Sequence, residues 1–473
     1  MIAVHVCSEV YPYSRTGILG DSVFGLAKSL SALNVQTYVI SPMYISSGCY
    51  DTSAVSKEMT VTVTAGGAVY SFDIYEAQTD GITFIFLRND EFYCRRFIYG
   101  TSSYDYSDND VRFGMFSLAS LEYIRRAGIE ADVIHCHEWQ TGLVPIYKHL
   151  FYNDMKAKTI FTVHDITYQG LFSKFSIQTL GLPWEMYNVE ELEFYENISM
   201  LKGGASHADY ITFPSPTYAE EVKSGDFSFG LGSFMGKFED RSEGILCGVD
   251  YDRFDPENDS LIAKSYGADT VRDKQINKDD FMTETGLKGA DRPLFLLETK
   301  FSERKGLELL TDSAEKLSEI EADFAFLGYG DAKYCSKFKD IANNYDNIFT
   351  SIGISETMLH KAYAAADFVL RPSLTEPCGK SQLLGMRYGA LPVVRRTGGL
   401  IDTVKDIDEG GYGFFIDGYS RHDLLKQINR AVEFFADRDI FYKCAANVMG
   451  VDFSWRRTAE QYLILYRRLV GGN

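Results

Sequence analysis

Read by its apolar and polar positions, the chain opens on a continuous apolar run from Ile2 to Ser8, the pattern of a strand buried on both faces. A polar, glycine-containing stretch follows, Pro12-Tyr13-Ser14-Arg15-Thr16-Gly17-Ile18-Leu19-Gly20-Asp21. Then come an amphipathic segment to about Leu33 and a second apolar run, Val35 to Ile40. Strand, glycine loop, helix, strand is the opening order of a Rossmann-type α/β unit. Three shorter alternating runs are next: Met59 to Thr64, Ala68 to Ile74 and Ile82 to Leu87. A helical pattern covers Val111 to Ala127, and strands are predicted over Asp132 to His135 and Thr159 to His164.

The pattern then starts again. Glu257 to Lys288 reads as a polar, helix-prone approach, and Pro293 to Leu297 as the first strand of a second sheet. Phe324 to Leu327 is the next strand, and a helix over His360 to Asp367 leads into Phe368 to Arg371. Between Ser373 and Val404 the chain reads as a turn, a helix, the strand Leu391 to Val394 and a second helix start. Gly411-Tyr412-Gly413-Phe414 reads as a hairpin-like turn. The last helix carries an apolar stripe at Ala459, Tyr462, Leu463, Leu465, Tyr466 and Leu469, as expected of a helix packed on one face. The predicted class is α/β with two Rossmann-like domains: residues 1–247, residues 248–455, and a terminal helix over 456–473 that returns to the first domain. At 473 residues the chain exceeds the usual single-domain range, which agrees with this division.

Charge narrows the partners. With 47 basic and 66 acidic residues the net charge is -19, a surface that repels nucleic acid and anionic membranes. Any site for an anionic ligand must therefore gather positive charge locally. Lys300, Arg304 and Lys305 do so in the turn after the predicted strand Pro293 to Leu297. None of the eight cysteines forms a C-x-x-C pair, and they read as reduced, mostly buried thiols. The start reads as a strand, without the features of a signal or transit peptide, and no apolar stretch is long enough to span a bilayer. The expected location is the cytoplasm.

Several polar residues fall at predicted strand ends, where ligands bind in open α/β sheets. They are His135-Cys136-His137-Glu138-Trp139-Gln140 after one strand and His164-Asp165-Ile166-Thr167-Tyr168-Gln169-Gly170 after another. His135, His137 and Glu138 are zinc-binding residue types. With His135 on a buried strand and no separated third ligand, the trio reads as structural. Asp108-Asn109-Asp110 reads as a helix-capping acidic loop. Gly379 and the Thr397-Gly398-Gly399 turn each precede a helix, so two sets of backbone N–H groups stand ready to converge on one anion.

These runs resemble, over nearly the whole chain, the bacterial glycogen synthases and plant starch synthases. That family consists of glucosyltransferases with two Rossmann-like domains facing across a cleft (the GT-B fold). The glycine loop is similar to the family's Lys-Thr-Gly-Gly-Leu-Gly-Asp. His135 to Gly142 is similar to His-x-His-Asp-Trp-His-Thr-Gly, and His164 to Gly170 to His-Asn-x-x-Tyr-Gln-Gly. Lys300 to Gly306 falls on the family's diphosphate-holding basic turn. The resemblance implies ADP-glucose as donor and an α-glucan such as glycogen, starch or maltooligosaccharide as acceptor, with no metal and no cofactor. It implies catalytic roles for His164, Glu376, Lys305 and Lys300. It implies substrate contacts for Arg15, Thr16, Gly17, Gly20, Asp21, Glu138, Tyr168, Gln169, Cys378, Gly379, Thr397, Gly398 and Gly399.

Departures cluster in the same motifs: Arg15, Ile18, Glu138, Gln140, Asp165, Cys247, Lys300 and Leu374 each replace the family residue. Lys300 keeps a charge and loses the two-pronged guanidinium. Ile18 is expected to crowd the glycine loop and to resist a positive φ. Three readings follow: an active glucan synthase, a transferase with another donor, or a catalytically weak relative that binds glucan and primes or regulates synthesis.

Overall fold

The computed structural model describes residues 1–44, 56–101, 104–287, 289 and 291–471. Cys49 lies outside them. The chain divides into two compact units: Met1–Gly248 together with the terminal segment from Trp455, and Val249–Ser454.

The first unit is built on a nine-stranded sheet. In chain order its strands are β1 (Ile2–Val6), β2 (Gln36–Pro42), β3 (Ser56–Ala65), β4 (Ala68–Thr79), β5 (Ile82–Arg88), β6 (Val133–His137) and β7 (Lys158–Thr162). After a small three-stranded sheet of β8 (Leu171–Ser173), β9 (Glu193–Phe194) and β10 (Asn197–Ser199) come β11 (Tyr210–Phe213) and β12 (Ser242–Gly244). The large sheet runs β12-β11-β7-β6-β1-β2-β5-β4-β3. It is parallel from β12 to β5, with β3 and β4 added antiparallel at one edge. β1 is central and feeds β2 on one side, while β6 lies on its other side. The loops after β1 and β6 therefore flank the point where the strand order reverses, the usual ligand position in such sheets.

The terminal helix, Trp455–Gly471, lies on the first helix, Ile18–Ala32. Its predicted stripe is the face that packs: Ala459, Tyr462, Leu463, Leu465 and Tyr466 join Leu26, Leu30, Val133 and Ile160 in one cluster, with Leu469 at its edge. Gly25 is required for this approach, because a Cβ there would stand 2.2 Å from the Trp455 indole nitrogen. Asp108 does not cap the helix Asn109–Arg126 with its side chain; it pairs instead with Arg95 at 2.6 Å.

The second unit holds β13 (Leu294–Phe301), β14 (Asp323–Gly330), β15 (Ile348–Ile352), β16 (Phe368–Arg371), β17 (Leu391–Arg395) and β18 (Phe414–Ile416). All are parallel, in the order β15-β14-β13-β16-β17-β18. Counted within the unit this is 3-2-1-4-5-6, the Rossmann order, with its reversal between β13 and β16. Phe414 begins the edge strand β18 and is not part of a hairpin turn. The approach read as polar also proves to be partly core. Lys274 and Lys278, on the helix Lys274–Thr285, are both buried. Lys278 pairs with Asp367 at 2.6 Å, and Lys274 donates to the last-turn carbonyls of Tyr363 and Ala364 at 3.0 and 2.7 Å. Burial pulls the Lys274 amine down to about 7.

Candidate active site

In the first unit, the loop after β1 is held from below by a residue the sequence reading passed over. Glu9, buried at the end of the run, accepts hydrogen bonds from the Thr16 backbone N–H, from the Thr16 hydroxyl at 2.8 Å and from the Tyr99 hydroxyl at 2.5 Å. Arg15 pairs with Asp21 at 3.0 Å. Gly17 has open space where a side chain would be, so its backbone is accessible, whereas a Cβ on Gly20 would stand 2.8 Å from the Ser14 carbonyl oxygen. The expectation for Ile18 is corrected. It is the first residue of the helix, needs no positive φ and points outward, half exposed.

Glu138 follows β6 with φ at +66°, a conformation costly for a side chain with a Cβ and concentrated at functional sites. Its Oε1 accepts the Asp165 N–H at 2.8 Å, and its buried Oε2 has no partner among the described residues. Burial pushes this carboxyl up to about 7; nearby Asp165 adds to the rise and His164 opposes it. His164 stands two residues beyond β7, its Nε2 3.1 Å from Nδ1 of His137. Gln169 is buried and donates to the Phe229 carbonyl at 3.0 Å, while Tyr168 is half exposed. A cavity of about 10 Å³, room for roughly one water, is bounded by His137, Thr162, His164, Cys247 and Tyr462.

The histidine reading changes too. A separated third histidine does exist: His5 on β1 lies beside His135 and His137, with nitrogens of all three within 4.8 Å. The rings stack, with His135 and His137 at 4.2 Å and 27°, and both His135 nitrogens are already bonded to the hydroxyls of Tyr466 and Thr162. Ring lone pairs lie in the ring planes, so His135 and His137, stacked face to face, direct theirs past one another. Only the register of β1 against β6 reveals the cluster.

In the second unit the strand-end turns come together around Glu376. Its carboxylate takes Lys305 Nζ at 2.9 and 3.0 Å, Arg371 at 2.5 Å and the Ser373 hydroxyl at 3.0 Å. Burial alone would raise its pKa, but Lys305 and Arg371 outweigh burial and hold it at about 2. Oε1 accepts from Lys305 alone among these groups, which leaves capacity for a ligand hydroxyl. Lys305 reaches this point because Gly306, at φ +69°, lets the β13 turn lie against Pro372; a Cβ there would be 2.0 Å from the Pro372 carbonyl oxygen. Gly306→Ala is therefore expected to part Lys305 from Glu376 and to cost about 2 kcal/mol or more. Chemical denaturation together with ADP titration would check it, and an unchanged variant on both counts would contradict this packing.

The other phosphate-side turns also meet. The Gly399 N–H donates to the Glu376 carbonyl at 3.0 Å, and a Cβ on Gly399 would sit 2.5 Å from the Cys378 backbone. Gly379 and Gly398 have positive φ, and Thr397 is buried. The two helices they open, Ser381–Arg387 and Gly398–Thr403, are two turns or less, so any anion there would depend on local N–H groups more than on a helix dipole. Lys300 is exposed near the end of β13 and is not drawn into the Glu376 cluster. Arg371, like Glu9, is a site residue that the sequence did not single out. A charged residue closing an otherwise apolar strand, three positions before Leu374, was the available signal.

Two Rossmann-type units with polar residues at their reversal points define a glycosyltransferase of the GT-B class. The family model for the starch synthase catalytic domain matches residues 3–237, and the model for glycosyl transferases group 1 matches residues 279–446. Glycogen synthase of Aquifex aeolicus is 38% identical over 463 residues, covering 98% of both chains. Glycogen synthase of Thermodesulfovibrio yellowstonii is 37% identical over 487 residues, covering 98% of this chain and 97% of that one. Among solved structures, the catalytic domain of starch synthase IV from Arabidopsis thaliana, bound to ADP and acarbose, superposes with a TM-score of 0.91 at 29% identity, covering 99% of each chain. Sucrose-phosphate synthase from Thermosynechococcus elongatus, at 17% identity and a TM-score of 0.63, shares the fold. The chain belongs to the glycogen and starch synthase family. No helix among the described residues is long and apolar enough to cross a membrane.

Proposed function

We propose that this protein transfers glucose from ADP-glucose to the non-reducing 4-hydroxyl of an α-1,4-glucan, with retention at the anomeric carbon. The observation that carries the reading is the constellation of half-buried Lys305 with buried Glu376 and Arg371 at the strand-order reversal of the second unit. In that reading the C1–O bond to the diphosphate breaks as the acceptor O4–C1 bond forms on the same face. The leaving phosphate oxygen takes the acceptor's proton, with no side chain among the described residues assigned the part of a covalent nucleophile. Lys305, Lys300 and Arg15 stabilise the charge growing on the diphosphate, beside the turn at Gly398, while the Gly399 N–H stays on the Glu376 carbonyl. Glu376 accepts from sugar hydroxyls through Oε1 and keeps Lys305 aimed. His164 orients the glucosyl unit, and Glu138, Tyr168 and Gln169 contribute to the sugar side. Closure that excludes water would strengthen each of these contacts. A cytoplasmic location belongs to the same reading, supported by the seven described cysteines, all of them free thiols.

The test is turnover of purified protein with labelled ADP-glucose, UDP-glucose and GDP-glucose on glycogen. Incorporation from ADP-glucose is expected. Incorporation from another donor alone would replace the donor assignment. Glycogen binding without incorporation would favour the weak relative, a reading supported by the added charge of Asp165 beside Glu138. Lys305→Ala leaves Glu376 still paired with Arg371, so the fold is expected to survive. ADP affinity should fall roughly 10- to 100-fold while adenosine affinity holds. Equal losses for both would remove Lys305 from the diphosphate.

A further inference from the structure

Three histidines of the first unit form a continuous hydrogen-bonded chain. His5 Nδ1 is 3.1 Å from His137 Nε2, and His137 Nδ1 is 3.1 Å from His164 Nε2. The two terminal nitrogens, His5 Nε2 and His164 Nδ1, are buried and have no partner among the described residues. His5 and His137 are enclosed, with 0% and 1% exposure, and burial keeps both neutral: His5 is lowered to about 3 and His137 well below the ordinary range.

Neutral imidazoles carry one N–H each, so three rings joined by two hydrogen bonds have one N–H left over, and it must sit at one end of the chain. At the His5 end it would be an orphan donor in a closed interior, and orphan N–H groups are the rarer and costlier defect there. At the other end the Nδ1 of His164 is also buried, but His164 borders the water-sized cavity described above, which His5 does not, so an N–H there has a partner within reach. With the proton at that end, His5 Nδ1–H donates to His137, His137 Nδ1–H donates to His164 Nε2, and His164 Nδ1 bears hydrogen.

We infer that His137, backed by His5, is a positioning residue that holds His164 in the Nδ1–H tautomer and so makes it a hydrogen-bond donor to the sugar. The inference rests on the reading of His164 as the residue that orients the glucosyl unit. A carboxylate often sets a histidine's tautomer; here a second and a third imidazole do so, without adding charge to the core.

The test is ¹⁵N NMR of histidine-labelled full-length protein, with kinetics of two variants. Wild type is expected to carry the His164 proton on Nδ1. His137→Phe removes the chain's control and should give His164 a mixed tautomer population, with kcat reduced about tenfold and the KM for ADP-glucose changed far less. His137→Gln can accept from His5 and donate to His164 with one amide, so it should recover most of the kcat and the wild-type tautomer. A wild-type spectrum with the proton on His164 Nε2 would overturn the proposal even if His137→Phe fails to fold. So would a folded His137→Phe protein with unchanged tautomer and kcat. His164→Phe with full turnover would instead sink the underlying role of His164 while leaving the tautomer result standing, so the two failures are distinguishable.

Discussion

Glu376→Ala is expected to unfold more readily than wild type by about 3–5 kcal/mol, as well as to lose turnover. The change takes from Arg371, which is 4% exposed, its ion-pair partner at 2.5 Å, leaving it a neutral acceptor in the Glu298 carbonyl at 2.8 Å, and it takes from Lys305 its carboxylate at 2.9 Å. Resemblance alone pointed to a catalytic role for Glu376. The buried arginine makes the carboxylate part of the unit's stability as well. The pH dependence has a definite sign. The carboxyl is held at about 2 against an ordinary value of 4.5, so its contribution is fully present above about pH 4.5 and is lost as pH falls through 2. That contribution is on the order of 3 kcal/mol. Urea unfolding of wild type, Glu376→Ala and Glu376→Gln at neutral pH separates the roles. The glutamine can still accept from Arg371 and should recover part of the stability with little of the activity. An alanine variant as stable as wild type would show that Arg371 finds another partner.

Glu138 should behave in the opposite sense. Its carboxyl is raised by burial to about 7, so the folded state holds a proton that the unfolded chain releases near 4.5. Stability is therefore fully present below about pH 4.5 and is lost as pH rises through 7, by about 3 kcal/mol in all. Glu138→Gln cannot ionise. It is expected to match wild type at pH 4 and to exceed it by about 2–3 kcal/mol at pH 8. Turnover of wild type should show an inflection near pH 7 that the glutamine variant lacks. Parallel stability curves across that range would mean that the orphaned Oε2 is solvated or paired in solution. The strained φ and the unpaired oxygen together are what a site kept for a ligand would show.

Much of this was already legible along the chain. Long apolar runs separated by glycine loops set out a strand–helix–strand order twice, because parallel strands buried on both faces need continuous apolar sequence. The stripe from Ala459 to Leu469 announced a helix packed on one side. Motif runs long enough to match a family placed His164, Lys305 and Glu376 at strand ends.

Other features depended on registers and approaches that lie between distant segments. Ile18 looked like an obstruction until the backbone placed it at an ordinary helix start. Lys274 and Lys278 looked like solvent-facing charges, since a sequence does not state that Asp367 and two helix-end carbonyls, about 90 residues away, will meet them. Arg371 and Glu9 became site residues only when turns separated along the chain closed on one carboxylate or one loop. The histidine chain needs β1 laid beside β6 and β6 beside β7. Local propensity and periodicity are properties of neighbours in sequence, so they determined the elements and their order. Burial, pairing and the proton each histidine carries depend on neighbours in space, and the tertiary structure decided those.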